Sequence, residues 1–330
     1  MFIDIYTHIL PPAVAAAIEQ MGSGLGIAKR MKAVRDVHDF ESRFRSMDEI
    51  GDYRQIISLP NPPLEAFTNA KQSVELAKIA NDGMAELCRK HPDRFPAFVA
   101  ALPMHEVEPS VAEAKRAMDR LGAKGIQLFT NVNGKPIDAP DYAPLFALAA
   151  QYDLPIWLHP TRTADFPDYT TEKFSRYEMW WCFGWPYETS VAMARLVLTG
   201  LFDRHPKIKI ITHHGGGMIP FYDKRIQNGL ASLGGRTKEE DYSGVLKSLK
   251  RPFMDYFHDF YADTALFGDS LGLDCALKFF GVDRMVFASD APFGPIKLHT
   301  DAIEARELEK KTRETIIKSN AEKLMKMSIQ

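Results

Sequence analysis

Apolar residues along this chain gather into short runs rich in β-branched side chains, separated by longer stretches whose apolar positions recur every three or four residues. The runs are FIDIYTHI from Phe2, RQIISLP from Arg54, FPAFVA from Phe95, GIQLF from Gly125, LPIWLHP from Leu154, KIKIITHH from Lys207, FYADT from Phe260 and RMVFASD from Arg284. Runs of this length predict strands, and AKQSVELAKIANDGMAELCRKH from Ala70 predicts an amphipathic helix between two of them. Strand alternating with helix implies βαβ units on a parallel sheet. Eight such units in 330 residues fit a closed (β/α)8 barrel, an α/β fold, better than a doubly wound sheet. No glycine-rich phosphate-binding motif supports the second choice. Residues 1–330 are therefore expected to form one barrel domain.

Two connections are too long for simple crossovers. Residues 9–53 begin with Pro11 and Pro12 and contain GSGLG at 22–26, enough for a short helix and a mobile flap. Residues 165–188 hold Trp180, Trp181 and Trp185, three of the four tryptophans, among many Phe and Tyr. Such a loop either walls an active site or packs in a dimer interface, because aromatic rings favour both places.

Composition narrows the function. A hydrophobic content of 45% supports a large core, and 41 basic residues nearly balance 43 acidic ones without long runs of either sign. That balance excludes the basic footprint of a nucleic-acid binder and leaves a small molecule as the expected partner. Cys88, Cys182 and Cys275 are too scattered for a thiolate metal site, and a reducing cytoplasm suits them. No secretory leader or membrane-spanning run is recognisable, so a cytoplasmic protein is expected.

On a strand, residues two apart share a face, so Tyr6 and His8 point one way while Ile3, Ile5 and Ile9 point the other. The apolar set suits the helix-facing side, which aims Tyr6 and His8 into the barrel. His159 ends the fifth run, His213 and His214 the sixth, and Asp290 the eighth. Each alone reads as a hydrogen-bonded core group or a cap. Converging at the C-terminal mouth of a barrel, they form the ligand chemistry of a divalent metal ion. Parity does not choose between His213 and His214. Arg162, three residues after His159, is placed to grip a substrate carboxylate or to pair with Asp165. Arg43 and Arg45 belong near substrate or on a solvated helix face; Asp263 points toward the site if its strand keeps register; Gln127 and Asn131 line the pocket or cap a loop.

The segments FIDIYTHILP, IWLHP, KIITHHGGGMIPF and MVFASDAPFG resemble the landmark strands of the amidohydrolase superfamily, in particular its "amidohydrolase 2" group of aminocarboxymuconate-semialdehyde and γ-resorcylate decarboxylases. The resemblance implies that His8, His159 and Asp290 hold one divalent ion, zinc first and manganese second. It assigns His214 to proton transfer, gives Asp290 the further role of base in a hydrolytic reaction, and leaves His213 either behind the ligands or as a substrate contact beside Tyr6 and Arg162. The implied activity is non-oxidative decarboxylation of a small hydroxy-aromatic or unsaturated carboxylic acid by a homodimer. Hydrolysis of a lactone, ester or amide, or hydration, is the alternative. Tyr6 departs from the pattern, which carries a metal ligand there, and three readings of it stay open. It is a phenolate ligand, or a neutral donor to substrate beside three remaining ligands, or the mark of a site that has lost its metal and survives as a binding protein.

Overall fold

A computed structural model describes residues 1–21 and 26–330. Most of the GSGLG stretch, where the flap was expected, lies outside the described residues.

Eight parallel strands carry the fold: β1 (Phe2–His8), β2 (Tyr53–Ser58), β3 (Ala97–Phe98), β4 (Ile126–Phe129), β5 (Ile156–His159), β6 (Ile210–Thr212), β7 (Tyr261–Asp263) and β8 (Met285–Val286). Continuous ladders join β1 to β3 in one sheet and β4 to β8 in another. The sheets meet at two seams, each with one isolated parallel bridge, Ala100 with Ile126 and Thr7 with Ala291. Strand order thus runs round a (β/α)8 barrel, although the hydrogen-bonded ladder is not continuous at the seams. The helix Ala70–Lys90 shows how sequence sets the crossovers. Asn69 and Gln72 form a capping box at its start, Leu76, Ala77, Ala80 and Met84 bury one face, and Arg89 and Lys90 sit in its last turn.

Period-two alternation holds through the later strands. Trp157, Ile211, Tyr261 and Val286 fill the barrel interior, in one cluster with Ile3, Ile5 and Tyr6. Ile9 joins the outer core, as expected. Ile3 and Ile5 do not face the helices, which corrects the parity argument. The register with β2 shifts between Asp4 and Thr7, and this bulge lets Ile5 and Tyr6 both face inward. Tyr6 and His8 still share the inner side.

Candidate active site

Each site residue ends an inward-facing row. Trp157 precedes His159 by two, Ile211 precedes His213, Tyr261 precedes Asp263, and Ala288 precedes Asp290, so alternation delivers all four to the mouth. His214 leaves this row. Its φ of 53° and that of Asp290, 61°, lie in the left-handed region that side chains avoid, and strain of this kind is kept where the surrounding structure fixes it.

His8, His159, His213 and Asp290 are buried, with one ligand atom from each lying within 4.8 Å of the others. His8 Nε2 is 3.1 Å and His213 Nε2 is 3.3 Å from the same Asp290 Oδ1. The His8 contact is close but poorly aligned, and Nε2 has no hydrogen-bond partner among the described residues. Each outer ring nitrogen is occupied instead. His8 Nδ1 faces the Leu59 carbonyl at 3.2 Å, His159 Nδ1 the Pro160 carbonyl at 2.7 Å, and His213 Nδ1 the Asp263 carboxylate. Carbonyl oxygens only accept, so His8 and His159 carry their proton on Nδ1 and turn an Nε2 lone pair inward. Burial lowers the pKa of both below the ordinary histidine value, His159 far below, with His213 contributing. Burial alone would raise Asp290, but His213, His214 and His8 outweigh it and hold the carboxyl well below its usual range. Burial would lower His213, yet Asp263 and Asp290 push it up to about 9. The neutral imidazoles of His8 and His159 and the Asp290 carboxylate, turned toward one point, fit a divalent cation.

His214 differs in kind. Its side chain keeps 16% exposure, its Nε2 stands 3.7 Å from Asp290 Oδ2, and it lines a cavity of about 780 Å³ at the barrel mouth. Burial and the neighbouring His213 lower its pKa, with Asp290 opposing. His8, His159 and Asp290 also reach this cavity, and its size suits a small molecule. Trp180, Trp181 and Trp185 form its wall, whereas Tyr169, Phe174, Tyr177 and Phe183 face outward.

The other expected residues are dispersed. Tyr6 is fully buried under the site, its ring stacked on His213 at 4.0 Å and its hydroxyl without a hydrogen-bond partner among the described residues. Burial, Asp263 and Asp290 raise its pKa well above the ordinary phenol value. Arg162 pairs with Glu188 at 3.1 Å, not with Asp165. Arg43 is buried and donates to the His8 carbonyl, so it supports strand one from behind instead of lying on a solvated face; Arg45 is exposed. Asp263 accepts from Gly215 N and Ala265 N and orients His213. Gln127 donates to the Leu59 carbonyl, and Asn131 donates to that of Thr161 while capping Gly134 N.

Sequence reasoning missed Asn61, whose amide donates to the Pro160 carbonyl at 2.9 Å beside His159 and which lines the cavity. Its place just after β2 was the available signal. Lys29 and Arg30, on the helix Gly26–Ala33, also line the cavity, and nothing in their local pattern marks them.

This fold and site define a barrel enzyme built around one buried metal position, and the chain belongs to the amidohydrolase family, whose model matches residues 3–326. It is 32% identical over 308 residues to γ-resorcylate decarboxylase of a Rhizobium species, covering 88% of both chains. A solved 2,6-dihydroxybenzoate decarboxylase in complex with 2,6-dihydroxybenzoate is 28% identical, with a TM-score of 0.80 and 99% of both chains covered. A dihydroxybenzoic acid decarboxylase from a Polaromonas species, solved with bound manganese and the inhibitor 2-nitroresorcinol, is 29% identical, with a TM-score of 0.81 and 98% and 96% covered. These three similar proteins are decarboxylases of dihydroxybenzoic acids.

Proposed function

We propose that this protein is a metal-dependent, non-oxidative decarboxylase of a small hydroxybenzoic acid. The observation that carries the reading is the division of labour among the mouth histidines: His214 is unpinned and partly exposed, beside His8 and His159 with their Nε2 lone pairs turned inward and His213 held by Asp263. His8, His159 and Asp290 would hold one first-row divalent ion. Zinc suits two imidazoles and a carboxylate, and manganese, the ion of the Polaromonas relative, suits them equally. Bound there, the ion would neutralise the oxygens of the substrate carboxylate and phenol and stabilise charge developing on them.

The protein's own groups supply the rest. Trp180, Trp181 and Trp185 offer flat apolar surfaces to an aromatic ring and exclude water from it. Lys29 and Arg30 place positive charge at the cavity's rim for an anionic substrate. His214 donates a proton to the ring carbon that bears the carboxylate. The carbon–carbon bond then breaks, its electron pair returns to the ring, and CO2 leaves. Asp290, within 3.7 Å of His214, stabilises the protonated imidazole before transfer. We also propose a homodimer, because Phe174, Tyr177 and Phe183 of the long loop stay exposed; light scattering reads it directly.

The test is CO2 release from a panel of hydroxybenzoates alongside hydrolysis of lactones and esters, with the metal content of the same preparation. CO2 release that falls with metal removal and returns with zinc or manganese is expected. Lactone or ester hydrolysis without CO2 from any acid would overturn the reading.

A further inference from the structure

We propose that His213 is the fourth protein ligand of the site's cation, taking the place of the strand-one ligand that the Tyr6 position lacks. The inference rests on the metal-dependent reading above and assigns His213 a role different from substrate contact.

Geometry supports it in three ways. First, the separations of His8 Nε2 and His213 Nε2 from Asp290 Oδ1, 3.1 and 3.3 Å, match what two ligands about 2.1 Å from one ion show, roughly 3.0–3.4 Å. Second, His213 obeys the rule that a ligating histidine gives its other ring N–H to an outer acceptor. Its Nδ1 meets Asp263, itself anchored by Gly215 N at 3.3 Å and Ala265 N at 3.1 Å. His8 and His159 obey the same rule with carbonyls, so three histidines turn Nε2 inward, and His213 would give up its Nε2 proton, now shared with Asp290, as a cation binds. Third, the ring is held in plane. Tyr6 stacks on it at 4.0 Å with 16° between planes, and His214 lies 3.7 Å away at 30°.

Tyr6 then has a physical role without ligating. A histidine or carboxylate at position 6 would reach inward itself; an aromatic ring there fills that volume and supports the imidazole arriving from β6. The sixth strand supplies this imidazole because Ile211 and His213 share its inner face, while His214, past the strand end, turns to the cavity.

The experiment is performed on the full chain, labelled with 15N at histidine and loaded with 113Cd. Three histidine Nε2 resonances coupled to cadmium are expected in the wild type, and two in His213→Ala. In zinc competition with a chelator, His213→Ala should lose more than about 100-fold in affinity, and Asp263→Asn roughly 10–100-fold, the range for an outer partner. Tyr6→Phe should keep all three couplings. Two coupled imidazoles in the wild type, or unchanged affinity in a folded His213→Ala, would overturn the fourth ligand while leaving a metal enzyme in place. A wild type that binds no cadmium or zinc would instead overturn the metal-dependent reading, and this inference with it.

Discussion

Two adjacent histidines with the same side-chain chemistry occupy opposite situations. His213 is fully buried and bonded to Asp263, whereas His214 adopts a left-handed backbone and opens to the cavity. A group that shuttles a proton must reach substrate, and a ligand must not swing, so exposure and pinning separate the roles. His214→Asn keeps a polar group of similar size but cannot carry the proton. We expect CO2 release to fall by about 10²–10⁴-fold, the contribution of a positioned acid or base, with metal content unchanged by elemental analysis. Equal loss of metal and turnover would instead make His214 a ligand.

At the scale of elements, the turn after β6 joins the histidines to the tryptophan wall. Gly217 has φ +62°, and a Cβ there would stand 2.6 Å from the Pro186 carbonyl oxygen, in the helix Gly184–Leu198 that carries Trp185. Trp185 in turn faces His214, with ring centres 6.5 Å apart and 25° between planes. Gly217→Ala should therefore cost about 1–3 kcal/mol in denaturant unfolding and raise KM for an aromatic acid, since it pushes the wall away from the proton donor. Gly229, in the exposed helix Asp223–Ala231 with nothing near its Cβ position, is the control. Gly229→Ala should be neutral or stabilising by up to about 1 kcal/mol. Similar losses in both would show that the turn has no special role.

Over the whole molecule, one buried acid makes stability depend on pH. Glu65, in the turn Leu64–Ala66, is 4% exposed, and neither carboxyl oxygen has a hydrogen-bond partner among the described residues. Burial raises its pKa from 4.5 to about 7. Between these values the folded chain binds more protons than the unfolded one, so this group lowers stability progressively as pH rises from about 4.5 to 7. The full effect is on the order of 3 kcal/mol, at 1.36 kcal/mol per unit. Glu65→Gln should match the wild type near pH 4 in urea unfolding and exceed it above pH 7. A difference that does not change with pH would show that burial leaves the pKa of Glu65 at its unfolded value.

Alternation along single strands was enough to announce eight strands, a barrel and the residues at its mouth, because each strand is short, doubly buried and read at period two. The same rule failed at Ile3 and Ile5, since a bulge is set by pairing with β2 and leaves no mark in β1 alone. Sequence likewise proposed His8, His159 and Asp290 together; strand parity could not separate His213 from His214, and the choice of His214 for proton transfer rested on the motif resemblance alone. That distinction needs the end of β6, the left-handed turn and an acceptor on β7, which arrive from different parts of the chain. Arg162 shows the limit most plainly: its charge and position suited a carboxylate, and the helix that carries Trp185 brought Glu188 to it first. Local pattern determined which residues reach the mouth; packing between distant elements decided which of them are pinned, which are paired and which remain open to a substrate.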